Sequence, residues 1–88
     1  MKHATASALD QLEPLLLRLR GLPGMTEKKR GIFYRRSVSF LHFHEDPTGL
    51  FADLREPDGH SARMKVDTSQ QQDVLVAAVR ALLGTSLP

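Results

Sequence analysis

The chain contains no cysteine, which excludes disulfides, thiolate zinc sites and a cysteine nucleophile but leaves the compartment open. It also lacks a long hydrophobic run. No stretch approaches the roughly 20 apolar residues that span a bilayer. Asp10 and Glu13 interrupt the region between Lys2-His3 and Leu15-Leu16-Leu17, where a signal peptide would carry its apolar core. A cytoplasmic protein without a membrane partner is the expectation. Two signatures of chemistry are missing as well. "GLPG" (21–24) has neither the strand before it nor the lysine after it that a phosphate loop needs, and Ser37, Ser39, Ser61 and Ser69 carry no nucleophile-elbow context. Without a complete catalytic constellation, an enzyme is not the expected class.

What is present suffices for one core. The 88 residues are 41% hydrophobic and 25% charged, as in an average globular domain, so residues 1–88 read as a single domain with 1–6 outside its ordered part. A domain of this size buries only roughly 60 to 65% of its unfolded surface, which makes self-association a natural source of stability.

Leu9, Leu12, Leu15, Leu16 and Leu19 recur at helical spacing, with Gly21 placed to end the helix. Pro14 implies either a kink or a start near Asp10. "GLPGMTEKKRG" reads as a loop. From 31 to 66, short β-branched and aromatic runs alternate with "RRS", "DPTG" and "EPDGH", predicting strands near 31–35, 38–45, 49–55 and 61–66. A final helix begins at Asp67, Thr68 or Ser69, with Gln71 or Gln72 completing a capping box, and ends at Gly84. Between Val74 and Leu83 its only polar residue is Arg80, which predicts a contact beyond one sheet face, with the first helix or with a second copy of the chain. The expected fold class is α+β: a four-stranded antiparallel meander flanked by an N-terminal and a C-terminal helix, in the order α-β-β-β-β-α.

Candidate site residues come from the central hairpin. Side chains alternate across a strand, so Phe40, His42 and His44 share one face and Leu41 and Phe43 the other. Aligning the aliphatic faces places Glu45 opposite Leu50, His44 opposite Phe51, Phe43 opposite Ala52, His42 opposite Asp53 and Leu41 opposite Leu54. Both helices then cover the Leu41, Phe43, Ala52 and Leu54 face. His42, His44, Phe51, Asp53 and Arg55 form a ligand-binding face on the other side. Within it His42, His44 and Asp53 make a two-histidine, one-carboxylate set suited to a divalent metal. Set against this, a His-x-His pair arises easily by chance among four histidines, and a His-Asp cross-strand pair is an ordinary structural contact.

Charge points weakly to nucleic acid. The formal charge is +2 and the pI about 9.4, with a basic segment at 28–36. In a meander Lys28-Lys29-Arg30 falls near Glu45-Asp46 and Arg35-Arg36 near Glu56 and Asp58, whereas phosphate binding needs an uncompensated positive field. Nucleic acid is therefore not the expected partner. A homodimer or another protein is, through a non-enzymatic binding or interaction module.

"FLHFHED" (40–46) and "GLFADL" (49–54), followed by a threonine-capped terminal helix, resemble a group of small bacterial α+β proteins of uncharacterised function, over roughly residues 22–84. The His-x-His strand followed by an Asp-bearing strand is also similar to the luciferase-like domains of uncharacterised proteins. Both resemblances imply the α+β meander and no particular activity.

Overall fold

In the computed structural model, which describes residues 1–84, the elements run β1 (Lys2–His3), α1 (Ala6–Arg20), β2 (Thr26–Lys29), β3 (Ile32–Arg35), β4 (Val38–Asp46), β5 (Gly49–Arg55), β6 (Ser61–Lys65) and α2 (Ser69–Gly84). The α+β class and both flanking helices are as expected. The sheet has six strands rather than four: β2-β3-β4-β5-β6 in order, all antiparallel, with β1 added alongside β4. Residues 85–88 of the expected domain lie outside the described residues. Among those described, no helix is long and apolar enough to cross a membrane.

The two unexpected strands have no pattern to betray them. β2 is "TEKK", three of its four residues exposed, and a lysine-rich edge strand is a common way to blunt an open sheet edge. β1 is two residues long. It joins the second half of β4, pairing Lys2 with Glu45 and His3 with His44, while β3 pairs with residues 38 to 41 on the same edge. Residues 1–6, expected outside the ordered part, thus contribute a strand. They also supply the start of α1. Thr5 Oγ1 accepts from the Ala8 N–H at 3.3 Å, and the Glu45 carboxylate accepts from the Thr5 N–H at 2.6 Å and its hydroxyl at 2.8 Å. This cap fixes the helix start at Ala6, so Pro14 lies in the interior. Pro14 and Asp10 are both exposed, so the turn in which proline removes a helical hydrogen bond lies on the surface side of α1, where that loss is tolerated.

The start of α2 resolves the three candidates. Thr68 Oγ1 accepts from the Gln71 N–H at 3.1 Å, and Gln71 Oε1 accepts in return from the N–H groups of Asp67 and Thr68, a complete capping box. Asp67 instead accepts from the Leu50 N–H at 2.9 Å. Its carboxylate occupies the space where a Cβ on Gly49, at φ +142°, would stand.

The core lies between the helices and one sheet face. Leu12, Leu15, Leu16 and Leu19 of α1 and Leu75, Val76 and Val79 of α2 pack with Leu41, Phe43, Ala52 and Leu54. The hairpin register matches the expected one at every pair from Leu41–Leu54 to Glu45–Leu50. Phe40 is the exception to the face assignment. Between Phe33–Leu41 and Tyr34–Ser39 the β3–β4 pairing skips it, so Phe40 is a bulged residue. It is buried in the helix-side core rather than displayed beside His42.

The two-residue turn between β3 and β4 is unusual chemically. Arg36 and Ser37 have φ of 53° and 67°, the sign a type I′ hairpin needs and one that Asn-Gly adopts with less strain. Replacing Ser37 with Gly is expected to raise stability by about 0.5 to 1 kcal/mol, relief of left-handed strain exceeding the entropy glycine adds to the unfolded chain. Urea unfolding measures it; a lower midpoint would mean that the turn is not strained.

Candidate functional site

On the sheet face away from the helices, β4 carries His42 and His44, β5 carries Asp53, and β6 carries Arg63 opposite Asp53. Asp53 is only 6% exposed. The Arg63 guanidinium grips it with both ends of its fork, Nε to Oδ1 at 2.8 Å and Nη2 to Oδ2 at 2.9 Å. This bond is the main reason the Asp53 carboxyl titrates below its usual range, burial opposing and the Arg63 charge assisting. Asp53 is therefore a carboxylate at neutral pH.

His44 reads that charge. Its Nε2 lies 3.1 Å from Asp53 Oδ2 and 2.8 Å from His42 Nδ1. A carboxylate can only accept, so the Nε2 position holds the His44 proton and Nδ1 carries a bare lone pair. That Nδ1 is buried and has no hydrogen-bond partner among the described residues. A buried acceptor of this kind costs about 1 to 3 kcal/mol unless something else binds it. Carboxylate on one nitrogen and a free lone pair on the other is the arrangement in which metal-ligating histidines are held.

The third member comes from β1. His3 pairs with His44 across the sheet, and its ring stacks on that of His44 with centroids 4.7 Å apart and planes at 26°. His42 meets His44 edge-on at 4.8 Å and His3 at 5.9 Å. One nitrogen from each ring lies within 4.8 Å of the other two. Burial, and secondarily the neighbouring His44, push the His42 pKa below 6.5, with Asp53 pulling the other way. The imidazole is thus in the neutral form that binds metals.

Of the expected metal set, the structure brings His42, His44 and Asp53 together, with Asp53 behind the histidines and committed to Arg63. His3 is the residue that sequence reasoning missed, because nothing local marks a two-residue strand. Of the wider ligand-binding set, Phe51 stands opposite His44 under the Lys65 ammonium, 4.6 Å from its ring centre. Arg55 turns away, donating to the carbonyls of Ser39 at 2.6 Å and Gly59 at 3.2 Å. The basic segment 28–36 is divided. Arg30 is held by Asp10 and Glu13 of α1 rather than by Glu45-Asp46, while Glu45 serves Thr5 and Asp46 serves Thr48.

The depressed His42 pKa fixes a sign for pH dependence. The unfolded chain takes up its proton at higher pH than the folded one. The contribution is therefore fully present above about pH 6.5 and is lost as pH falls through the folded value. Stability curves between pH 7 and 5 are expected to fall less steeply for His42→Gln than for the unaltered chain.

No family model matches the chain, and neither a curated protein nor a solved structure is significantly similar to it. The chemistry rests on the geometry.

Proposed function

We propose that this chain is a non-enzymatic metal-binding module that holds one divalent transition-metal ion through His3, His42 and His44, with Asp53 orienting His44. The observation that carries the reading is that His44, whose Nδ1 is buried without a partner among the described residues, is one of three imidazoles clustered closely enough to share an ion. Imidazole ligands favour Zn²⁺, Co²⁺, Ni²⁺ or Cu²⁺ over Ca²⁺ and Mg²⁺, which demand oxygen. Three protein ligands leave a coordination position for water or for a group from a partner. The experiment is a titration of chelator-stripped protein with Zn²⁺ and Co²⁺, read by calorimetry and histidine side-chain NMR. One equivalent bound below about 1 µM is expected, with the His3, His42 and His44 signals moving. His60, exposed and paired with Asp58 at 3.0 Å, is the internal control. No binding, or equal movement of His60, overturns the reading.

A homodimer, in a cytoplasmic setting, belongs to the same proposal. It draws on two exposed apolar side chains, Leu17 at 61% and Val74 at 58%. Each is adjacent in sequence to one member of the Arg18–Asp73 ion pair that bridges α1 and α2 at 2.7 Å. Light scattering at micromolar concentration is expected to report a dimer; a monomer removes it.

A further inference from the structure

Away from the histidines, at the opposite end of β4, a groove of about 300 Å³ opens between the β3–β4 turn, the end of β5 and the last turns of α2. We propose that this groove is a second binding site, for a small carboxylate with an apolar tail. The proposal does not depend on the metal reading.

Its first support is the charge. Eight arginines occur in the chain. Arg18, Arg20, Arg30 and Arg63 each have a carboxylate partner. Among the described residues Arg35, Arg36, Arg55 and Arg80 make no ion pair, and the first three line this one groove. Arg35 and Arg55 are aimed rather than loose. Arg35 Nη1 donates to the Leu82 carbonyl at 3.1 Å, and its guanidinium sits 5.8 Å from the Phe40 ring centre. Arg55 is fixed by the carbonyls of Ser39 and Gly59. These acceptors are neutral, so they orient the forks without cancelling their charge, and each fork keeps N–H donors to spare. Glu56 also lines the groove, yet forms no ion pair with any of the three. Three guanidinium charges against one carboxylate leave the groove positive.

The second support is the lining between the arginines. Phe40 reaches the groove because of the bulge that removes it from the His42 face, and with Val38, Pro57 and Leu82 it makes an apolar wall. Val38, 50% exposed, is otherwise an unexplained apolar side chain on the surface. Arg36 stands on the left-handed turn, a conformation retained where neighbouring structure demands it and common beside binding sites. An apolar wall with a few convergent donors is how small-molecule sites are built. Guanidinium forks match a carboxylate with two parallel bonds. At about 30 Å³ for each non-hydrogen atom, water's share of liquid volume, the groove holds about ten such atoms. Octanoate has that size.

The test titrates the full chain with octanoate, 1-octanol and octylammonium, followed by amide NMR shifts. Octanoate is expected to bind with a dissociation constant of about 0.1 mM or tighter, moving Arg36, Val38, Phe40 and Leu82 signals, with 1-octanol about tenfold weaker or more. Arg36→Gln, on an exposed turn that the core does not use, is expected to weaken octanoate about tenfold and leave 1-octanol unchanged. His3→Ala, on an exposed two-residue strand at the other end of β4, should leave octanoate binding intact, which separates this site from the metal centre. Equal affinity for octanoate and 1-octanol would reduce the groove to a bare apolar surface. Absence of octanoate binding at 10-fold the expected constant, or shifts confined to other residues, would overturn the site outright.

Discussion

Arg63→Ala is expected to destabilise the domain by about 2 to 3 kcal/mol, a large share of the roughly 5 to 10 kcal/mol that holds a chain of this length folded. The expectation comes from what Arg63 leaves behind. Asp53 is almost wholly buried in the sheet, and without Arg63 its charge would face only His44. Removing one partner of a fully buried pair costs about 3 to 5 kcal/mol. The Arg63 side chain is 48% exposed, so this pair is only half-buried, water reaches part of the vacated space, and the expected loss falls below that range. Replacing both residues, as Asp53→Val with Arg63→Val, removes the stranded charge and supplies a β-branched cross-strand pair. The double variant is expected within about 1 kcal/mol of the native chain. Urea unfolding of the two single variants and the double variant closes the cycle. A loss below about 0.5 kcal/mol for Arg63→Ala would place the pair among exposed ion pairs, which contribute little. The double variant also frees His44 from its carboxylate, so its metal affinity is expected to fall about 10- to 100-fold while the fold persists.

The parts of this architecture that sequence could reveal are those set by alternation and capping. A one-residue slip of β4 against β5 would have moved Leu41 and Phe43 out of the core, so their spacing against Ala52 and Leu54 determined the register and with it the juxtaposition of His42 and Asp53. Alternation fails where the backbone breaks step. The bulge at Phe40 puts two consecutive residues in the core, and nothing in "SFLHF" signals it. The apolar look of α2 has two sources: its inner side shares one core with α1, the contact its composition predicted, while its outer side carries Ala77 and Ala81, both exposed, and alanine suits a solvated helix surface as well as a core. β1 and β2 escape because edge strands are chosen for their surroundings, Glu27 for Arg20 and the Gly31 N–H, Lys2 and His3 for the free half of β4. Arg55 shares the parity of His42 and Asp53, but a long side chain goes to its strongest acceptors, here two carbonyls off the site. The histidine cluster was therefore legible in two of its three members, the third depending on long-range pairing.

His3→Ala is expected to weaken Zn²⁺ binding at least 100-fold while changing stability by less than about 0.5 kcal/mol. The first figure follows from sharing the roughly 10 to 16 kcal/mol of a four-ligand zinc site among its ligands, about 3 kcal/mol each, where every 1.4 kcal/mol is tenfold. The second follows from position: His3 is exposed on a strand of two residues, and no core side chain depends on it. His44→Ala should weaken the ion as much, but it also empties a buried position and releases Asp53, so it confounds ligation with packing. His3 does not. A purely structural cluster would answer His3→Ala with the loss of one ring stack and no change in metal affinity. Loss of affinity at His42 and His44 alone would put the ion on the hairpin and leave β1 as a cover. Loss at all three, with His60→Ala without effect, would show that the first residues of the chain join the sheet to complete a coordination sphere.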